Sequence, residues 1–209
     1  MKIIKINLLI IALLFITSCT SISYSPALTL ETSTHTIDAV VQVDNFVDKS
    51  PFTDKEKVIF GISLTDENTL VGNLTTGVTN AVVNDFSMNG VFKRVGKKID
   101  EPDLIIKGEI YRFYGKSKLT SLGWLTIPIN IIWFLGLPIY SFDGEVTIIV
   151  SIYSVNGDLL GNYTGKASFS EGKSIYNNQM FALPTKVNRI FNQSISQIRD
   201  QIIADAHKF

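Results

Sequence analysis

Apolar and polar residues alternate in five stretches of this chain, and a two-residue period is typical of strands with one buried face. The first stretch is residues 37–47, where Val41 and Val43 lie two positions apart. The other four are residues 90–95, 103–113, 144–155 and 159–169. The last two are joined through Asn156-Gly157, a dipeptide that favours type I′ turns because both central residues need positive φ. The sequence therefore predicts a hairpin at this dipeptide.

One stretch between the strands repeats its apolar residues every four positions, as one face of a helix does. Its members are Leu70, Leu74, Val78, Val82 and Phe86, with Ala81 in the same stripe. Asp66 or Asn68 is the expected cap at the start of this helix, since a side-chain oxygen there can accept from free backbone N–H groups. Asn89-Gly90 is the expected end.

A second helix is predicted at the end of the chain, where a proline suits the first helical turn. It opens at Leu183-Pro184 and carries on one face Val187, Ile190, Phe191, Ile195, Ile198 and Ile202. Strand, helix, two strands, hairpin and helix follow one another in this order. That order predicts an α+β fold, namely a mainly antiparallel sheet with two helices packed on one face.

An apolar insertion is predicted at residues 119–142, which include 24 residues without a charge. Its length would suit a membrane-spanning helix, but Pro128 and Pro138 argue against one straight helix because each removes a backbone donor. We expect a hairpin of two short arms. The side chains expected to contact a membrane or a partner are Trp124, Ile127, Ile132, Trp133, Phe134, Leu137 and Tyr140.

Three interpretations of this insertion stay open. It could dip into a membrane, contact another protein or a second copy of the chain, or cover the domain's own sheet. Large exposed apolar patches are uncommon in soluble proteins, which favours burial against the sheet. Where such a patch is exposed, it usually marks a membrane or protein contact, which favours the first two interpretations.

The amino terminus matches a bacterial lipoprotein signal. Two lysines precede an uncharged apolar run at residues 8–15, which is too short to span a bilayer. The run closes on Ile16-Thr17-Ser18-Cys19. We therefore expect residues 1–18 to be a signal peptide, Cys19 to be lipidated, residues 19–36 to be a polar tether and residues 37–209 to form the domain. The alternative is an ordinary secretory signal with a chance cysteine.

The residue after the cysteine bears on location. In other bacterial lipoproteins that this leader resembles, an aspartate at that place retains the protein in the inner membrane. Thr20 stands there instead, so we expect anchoring at the periplasmic face of the outer membrane.

Composition narrows the function classes. Removal of residues 1–18 takes away two lysines and no acidic residue, so the formal net charge falls from 0 to −2. A chain of that charge without a basic block is not expected to bind nucleic acid. Its two histidines, His35 and His207, lie in the tether and near the end, where a positioned base or metal ligand is not expected. We expect no cofactor, no metal and no enzymatic activity.

A resemblance to a protein family rests on the leader cysteine and three strand motifs. The motifs are Val41-Gln42-Val43-Asp44-Asn45-Phe46-Val47-Asp48, Asp103-Leu104-Ile105-Ile106-Lys107-Gly108-Glu109-Ile110 and Val155-Asn156-Gly157-Asp158. Together they resemble Gram-negative cell-envelope lipoproteins whose fold is similar to the amino-terminal domain of TolB and the periplasmic domain of the curli secretion channel. The chain departs from the pattern at Pro102, where an alanine usually precedes the aspartate.

The resemblance implies a non-enzymatic accessory in assembly or secretion, with envelope proteins and a second copy of the chain as expected partners. The alternative is a carrier of lipid or of a small hydrophobic ligand, in which the apolar insertion lines a pocket between sheet and helix. A hydrolase is the least favoured interpretation.

The leader generates the first testable prediction. Cys19→Ser should abolish labelling with a radioactive fatty acid in growing cells and leave an uncleaved or mislocalised precursor, because no other thiol exists in the chain. Persistence of the label in the serine variant would contradict the predicted anchor.

Overall fold

The computed structural model describes residues 22–29, 36–125, 127, 134–177 and 180–209. The leader, Cys19, residues 30–35, Ile132 and Trp133 lie outside the described residues. The predicted signal peptide and lipidation therefore stay predictions.

Two long antiparallel strands form the centre of the sheet. Strand β5 (Leu104–Leu119) pairs with β6 (Tyr140–Ser154) over its whole length, from Leu104 opposite Ser154 to Leu119 opposite Tyr140. The register shifts once, between Ile110 and Arg112, so that Tyr111 forms a bulge. Strand β7 (Leu159–Lys173) is antiparallel to β6 and forms one edge of the sheet.

Shorter strands complete the other side of β5. Strand β1 (Ile37–Val43) lies parallel to both β5 and β4 (Phe92–Gly96), which gives the order β4-β1-β5-β6-β7. Strand β2 (Val47–Asp48) pairs with β5 in parallel and β3 (Ile62–Ser63) pairs with it in antiparallel orientation. The predicted α+β class is confirmed, and the sheet is mainly antiparallel with a few parallel pairs.

Two long helices cover one face of this sheet, as predicted. Helix α1 (Phe52–Lys55) and helix α3 (Ser121–Leu125) are single turns, whereas α2 (Leu74–Met88) and α4 (Leu183–Ala204) are long. The two long helices are joined by a buried ion pair, in which Arg199 Nη1 lies 3.2 and 3.3 Å from the two carboxylate oxygens of Asp85.

The start of α2 differs from the prediction. The cap is Asn73, whose side-chain oxygen accepts from the N–H of Thr75 at 2.9 Å. Asp66 instead accepts from the N–H of Asn68 at 2.8 Å and of Thr69 at 3.2 Å, which closes a separate turn before the helix. Leu70 therefore precedes the helix, although the predicted end at Asn89-Gly90 is confirmed.

Helix α4 approaches the sheet closely because two glycines face it. A Cβ atom at Gly165 would lie 2.0 Å from the carbonyl oxygen of Ser194, and one at Gly115 would lie 2.3 Å from Cγ2 of Val187. Any larger residue would force the helix away from the sheet. The close approach brings Phe191 of the helix into edge contact with Phe113 of β5, with 5.3 Å between ring centroids.

The hairpin at Asn156-Gly157 is present, but its predicted turn type is wrong. Only Gly157 has positive φ, at 92°, whereas type I′ needs positive φ at both central residues. The Gly157 N–H donates to the carbonyl of Ser154 at 3.0 Å, and the register of β6 and β7 shifts beside the turn. This is the longer hairpin loop, in which a single glycine at positive φ accompanies a bulge.

Residues 22–29, which we call the strap, are packed against the domain, so for them the prediction of a free tether is wrong. Tyr24 is 2% exposed and its hydroxyl donates to Oδ1 of Asn188 at 2.9 Å. Its backbone pairs with the loop before α2, through bonds with Thr69 and Val71 at 2.9 and 2.8 Å. Burial of one aromatic side chain between α2 and α4 explains the difference, since a tyrosine buries a large apolar area.

The strap generates the second prediction. Tyr24→Ala should lower the free energy of unfolding by about 3–5 kcal/mol, the range found for removal of a buried aromatic side chain. Tyr24→Phe should cost about 1 kcal/mol, because it removes one hydrogen bond. Urea unfolding of the purified protein measures both.

The matched control lies in the same segment. Ser23 is exposed, and Ser23→Ala should change stability by less than about 0.5 kcal/mol. Equal stability of the Tyr24→Ala variant and the parent protein would contradict the packed strap.

Candidate functional site: an apolar end of the sheet

Exposed hydrophobic side chains are concentrated where β5 ends and β6 begins. Leu125 is 78% exposed, Leu135 73%, Phe134 65% and Trp124 45%. We call this surface the apolar end. It comprises Ile59, Phe60, Leu122, Trp124, Leu125, Ile127, Phe134, Leu135, Leu137 and Tyr176.

Three separate segments contribute to the apolar end and contact one another. Phe60, from the loop before β3, meets the Trp124 ring edge-on with 5.3 Å between centroids. Tyr176, which follows β7, donates its hydroxyl hydrogen to the carbonyl of Phe134 at 2.9 Å. The surface is therefore built by tertiary contacts as well as by the apolar insertion.

Helix α3 is fixed to the end of the sheet through backbone groups. The N–H of Thr120 donates to Ile139 at 2.9 Å, the N–H of Trp124 donates to Thr120 at 3.0 Å, and the N–H of Gly123 donates to Oγ1 of Thr120 at 3.1 Å. A Cβ at Gly123 would lie 2.5 Å from the Ile139 carbonyl oxygen. Close approach at this glycine holds the exposed Trp124 in place.

The structure places the predicted contact residues unequally. Trp124, Ile127, Phe134 and Leu137 are exposed and belong to the apolar end. Tyr140 belongs to β6 and is partly buried against the core. Ile132 and Trp133 lie outside the described residues. Contact of these side chains with a membrane or partner stays a prediction.

The insertion is also shorter than predicted. Leu119 and Tyr140 pair with each other within the sheet, so the connection between β5 and β6 spans residues 120–139. Its first arm starts as helix α3 and not as a strand. Sequence reasoning missed Phe60 and Tyr176, although the adjacent apolar pair Ile59-Phe60, beside charged residues 54–57, was a signal that could have identified the first.

Basic side chains border the apolar end. Lys57 and Lys118 are exposed, and within the described ranges neither has an ion-pair partner. Burial lowers the pKa of the neighbouring Lys116, the nearby carboxylates raise it, and the positive charge of Lys118 lowers it further. Lys118 lines a groove together with Lys116 and the carboxylates of Asp143 and Glu145.

An acidic residue near the same end is neutralised. Glu171 lies 2.8 Å from Nζ of Lys173 and 2.7 Å from Nζ of Lys186. Hydrogen bonds from these two ammonium groups lower the pKa of Glu171 to about 2. This carboxylate therefore stays ionised at neutral pH but adds little negative charge to the surroundings.

The sheet face opposite the helices is polar, and several of its charges pair with one another. Arg112 holds the buried carboxylate of Asp54 through two hydrogen bonds of 3.0 Å. Glu145 lies 3.6 Å from the same guanidinium and 3.1 Å from Nζ of Lys166. This network anchors helix α1 on the sheet. In the part of the chain that the structure describes, no three His, Cys, Asp or Glu side chains are placed to hold a metal ion.

Four grooves in the described part of the chain are lined by residues outside the apolar insertion. A groove of about 650 Å³ is lined by the strap and the outer side of α4, including Asn188, Arg189 and Asn192. Three others, of about 510, 540 and 320 Å³, lie elsewhere, and neither Trp124 nor Phe134 lines any of the four. Among the helices of the described residues, none has the length and hydropathy needed to cross a membrane.

The strap runs toward the apolar end when it is followed back to the amino terminus. The N–H groups of Ala27 and Thr29 donate to Asn188 at 3.3 Å and to Asn192 at 2.6 Å. The hydroxyl of Tyr24 also contacts Asn188, the neighbour of Val187, which packs on Gly115 of β5.

Comparison with solved structures shows what the fold is similar to. The DUF330 protein XCC0632 from Xanthomonas campestris superposes with a TM-score of 0.54 at 10% sequence identity, covering 88% of this chain and 99% of that one. An uncharacterised protein gives a TM-score of 0.45 at 11% identity, with 88% and 99% coverage. A PelC dodecamer from Paraburkholderia phytofirmans gives 0.31 at 10% identity, with 85% and 95% coverage.

These similarities concern the fold alone. Both named organisms are Gram-negative bacteria, and the α+β fold is shared with the first of the three proteins. The two lower TM-scores are too small to support a conclusion. Membership of the TolB and curli channel fold group stays a prediction. No protein-family model and no curated protein matches the sequence.

Proposed function

We propose that this protein is an envelope lipoprotein, anchored through Cys19 at the periplasmic face of the outer membrane, that acts as a non-enzymatic assembly or secretion accessory. Its working surface is the apolar end. The observation that carries the proposal is the collection of exposed hydrophobic side chains from three chain segments at the end of the sheet toward which the strap leads.

The exposure of these side chains argues for a contact surface. Single exposed hydrophobic residues are common, but a contiguous group bordered by polar residues is typical of an interaction site. The group here is also ordered by backbone and aromatic contacts, so it is presented in a fixed arrangement. A surface that is both apolar and fixed can bind with little loss of conformational entropy.

The carrier alternative receives less support. A carrier would bury its ligand in an apolar pocket. The groove beside α4 is lined by Ala27 and Leu28 but otherwise by amide, guanidinium and hydroxyl side chains. The apolar side chains that would line such a pocket are those exposed at the apolar end.

Site-specific photo-crosslinking in intact cells tests the proposal. A benzophenone amino acid replaces Leu125 or Phe134 at the apolar end, or Val155 as a matched control. Val155 is apolar and 54% exposed, but lies in the turn at the opposite end of β6. We expect adducts with lipid or with envelope proteins from the first two positions and none from the third.

A charge substitution in the same cells sharpens the test. Leu125→Asp should change the thermal stability by no more than about 0.5 kcal/mol, since the side chain is exposed. It should nevertheless reduce crosslinking from position 134, because removing an unpaired carboxylate from water on contact with lipid or protein costs free energy. Equal adduct yields from positions 125, 134 and 155, or none from any, would refute a working surface at the apolar end.

A further inference from the structure

We infer that the apolar end rests on an anionic phospholipid surface, with Trp124 at the lipid interface and the ammonium groups of Lys57 and Lys118 on headgroup phosphates. This inference rests on the proposed function, because it names the partner of the same surface. It assigns the domain an orientation in which the long axis of β5 and β6 leads away from the membrane.

The course of the strap is the first argument for a lipid surface. Bonds from Ala27 and Thr29 to α4 fix the direction of the strap, and Tyr24 fixes its depth beside Phe113, with 6.4 Å between ring centroids. Ile22 therefore lies toward the end of the sheet that carries the apolar surface. An acyl anchor on Cys19, three residues before Ile22 in the sequence, would bring this end of the domain to the bilayer.

The aromatic residues are the second argument. Both tryptophans of the chain, Trp124 and Trp133, lie in the apolar insertion. Tryptophan is enriched at lipid interfaces because its ring is apolar and its N–H can donate to water or headgroups. Trp124 is 45% exposed and is supported from one side by Phe60, so its ring is held at the surface of the domain.

The lysines are the third argument, and they favour lipid over a neutral protein surface. Lys57 precedes the exposed pair Ile59-Phe60 by two positions, and Lys118 precedes the exposed Leu122 by four. Their stems can lie along apolar surface while their ammonium groups reach outward. Lys173 and Lys186 both contact Glu171 nearby. The other carboxylates beside these lysines are Asp143 and Glu56, so lysines outnumber acidic side chains at this end. Each unpaired lysine should strengthen adsorption to an anionic surface about fivefold.

Tryptophan fluorescence of the intact acylated protein tests the inference, because both fluorophores are in the segment of interest. The protein is reconstituted into vesicles of brominated phosphatidylethanolamine and phosphatidylglycerol, and into vesicles of brominated phosphatidylcholine. Bromine quenches only tryptophans that enter the lipid. We expect a blue-shifted and strongly quenched emission in the anionic vesicles, with quenching weakened by added salt.

Charge-reversed variants provide the matched comparison. Lys57→Glu with Lys118→Glu should reduce quenching in the anionic vesicles to the level found in phosphatidylcholine. Lys97→Glu with Lys98→Glu should leave quenching unchanged, since these exposed lysines follow β4 at the other end of the sheet. A circular dichroism melt of each variant confirms that it is folded.

The outcomes separate this inference from the proposed function. Emission that bromine does not quench in either vesicle would overturn the lipid surface, and protein adducts from position 125 in cells would then leave the proposed function standing with a protein partner. Quenching that is equal in both vesicles and unaffected by Lys57 and Lys118 would overturn the anionic surface. Absence of both quenching and adducts would remove the proposed function as well.

Discussion

The continuous pairing of β5 with β6 is the constraint on which the rest of the structure depends. All fifteen residues of β6 pair with β5, and fourteen of them also pair with β7. A strand of that length spans about 50 Å. Because the side-chain period is two, this register decides which residues face the helices along the whole distance. The Tyr111 bulge allows Ile110 and Phe113 to face the same core although three positions separate them.

The same pairing places the apolar end. Residues 120–139 connect two strands that remain paired up to Leu119 and Tyr140. The connection therefore leaves the sheet at the very end of these two strands. Among the described residues of this connection, Trp124, Leu125, Phe134 and Leu135 are exposed, whereas Ile139 is buried. Phe60 and Tyr176 reach the same place because β3 begins there and β7 ends there.

Much of the fold could be predicted from the sequence, because its periodic patterns are strong. The stripes around Val78 and Ile195 gave the two helices, and alternation gave the long strands. The predictions failed where a single side chain decides the outcome. The side chain of Asn73 accepts a hydrogen bond from the N–H of Thr75 and so defines the start of α2. In the hairpin turn, Gly157 alone adopts a positive φ. Neither the cap at Asn73 nor the positive φ of Gly157 can be predicted from the spacing of apolar residues.

The candidate site was predictable in part for a related reason. The absence of charged residues identified the insertion, so Trp124 and Phe134 could be predicted as contact residues. Phe60 and Tyr176 join them through contacts between segments more than 40 residues apart in the chain. The strap was missed because its serine-rich and threonine-rich composition resembles a linker, whereas Tyr24 alone provides its buried contact.

The distance along the chain between Tyr24 and Asn188 has a consequence for the order of folding. The two residues are 164 positions apart, so the strap cannot occupy its site until almost the whole chain has emerged and α4 has packed on the sheet. Loop closure over such a separation comes late, after the local pairings have formed. Docking of the strap is therefore expected to be among the last steps that complete the fold.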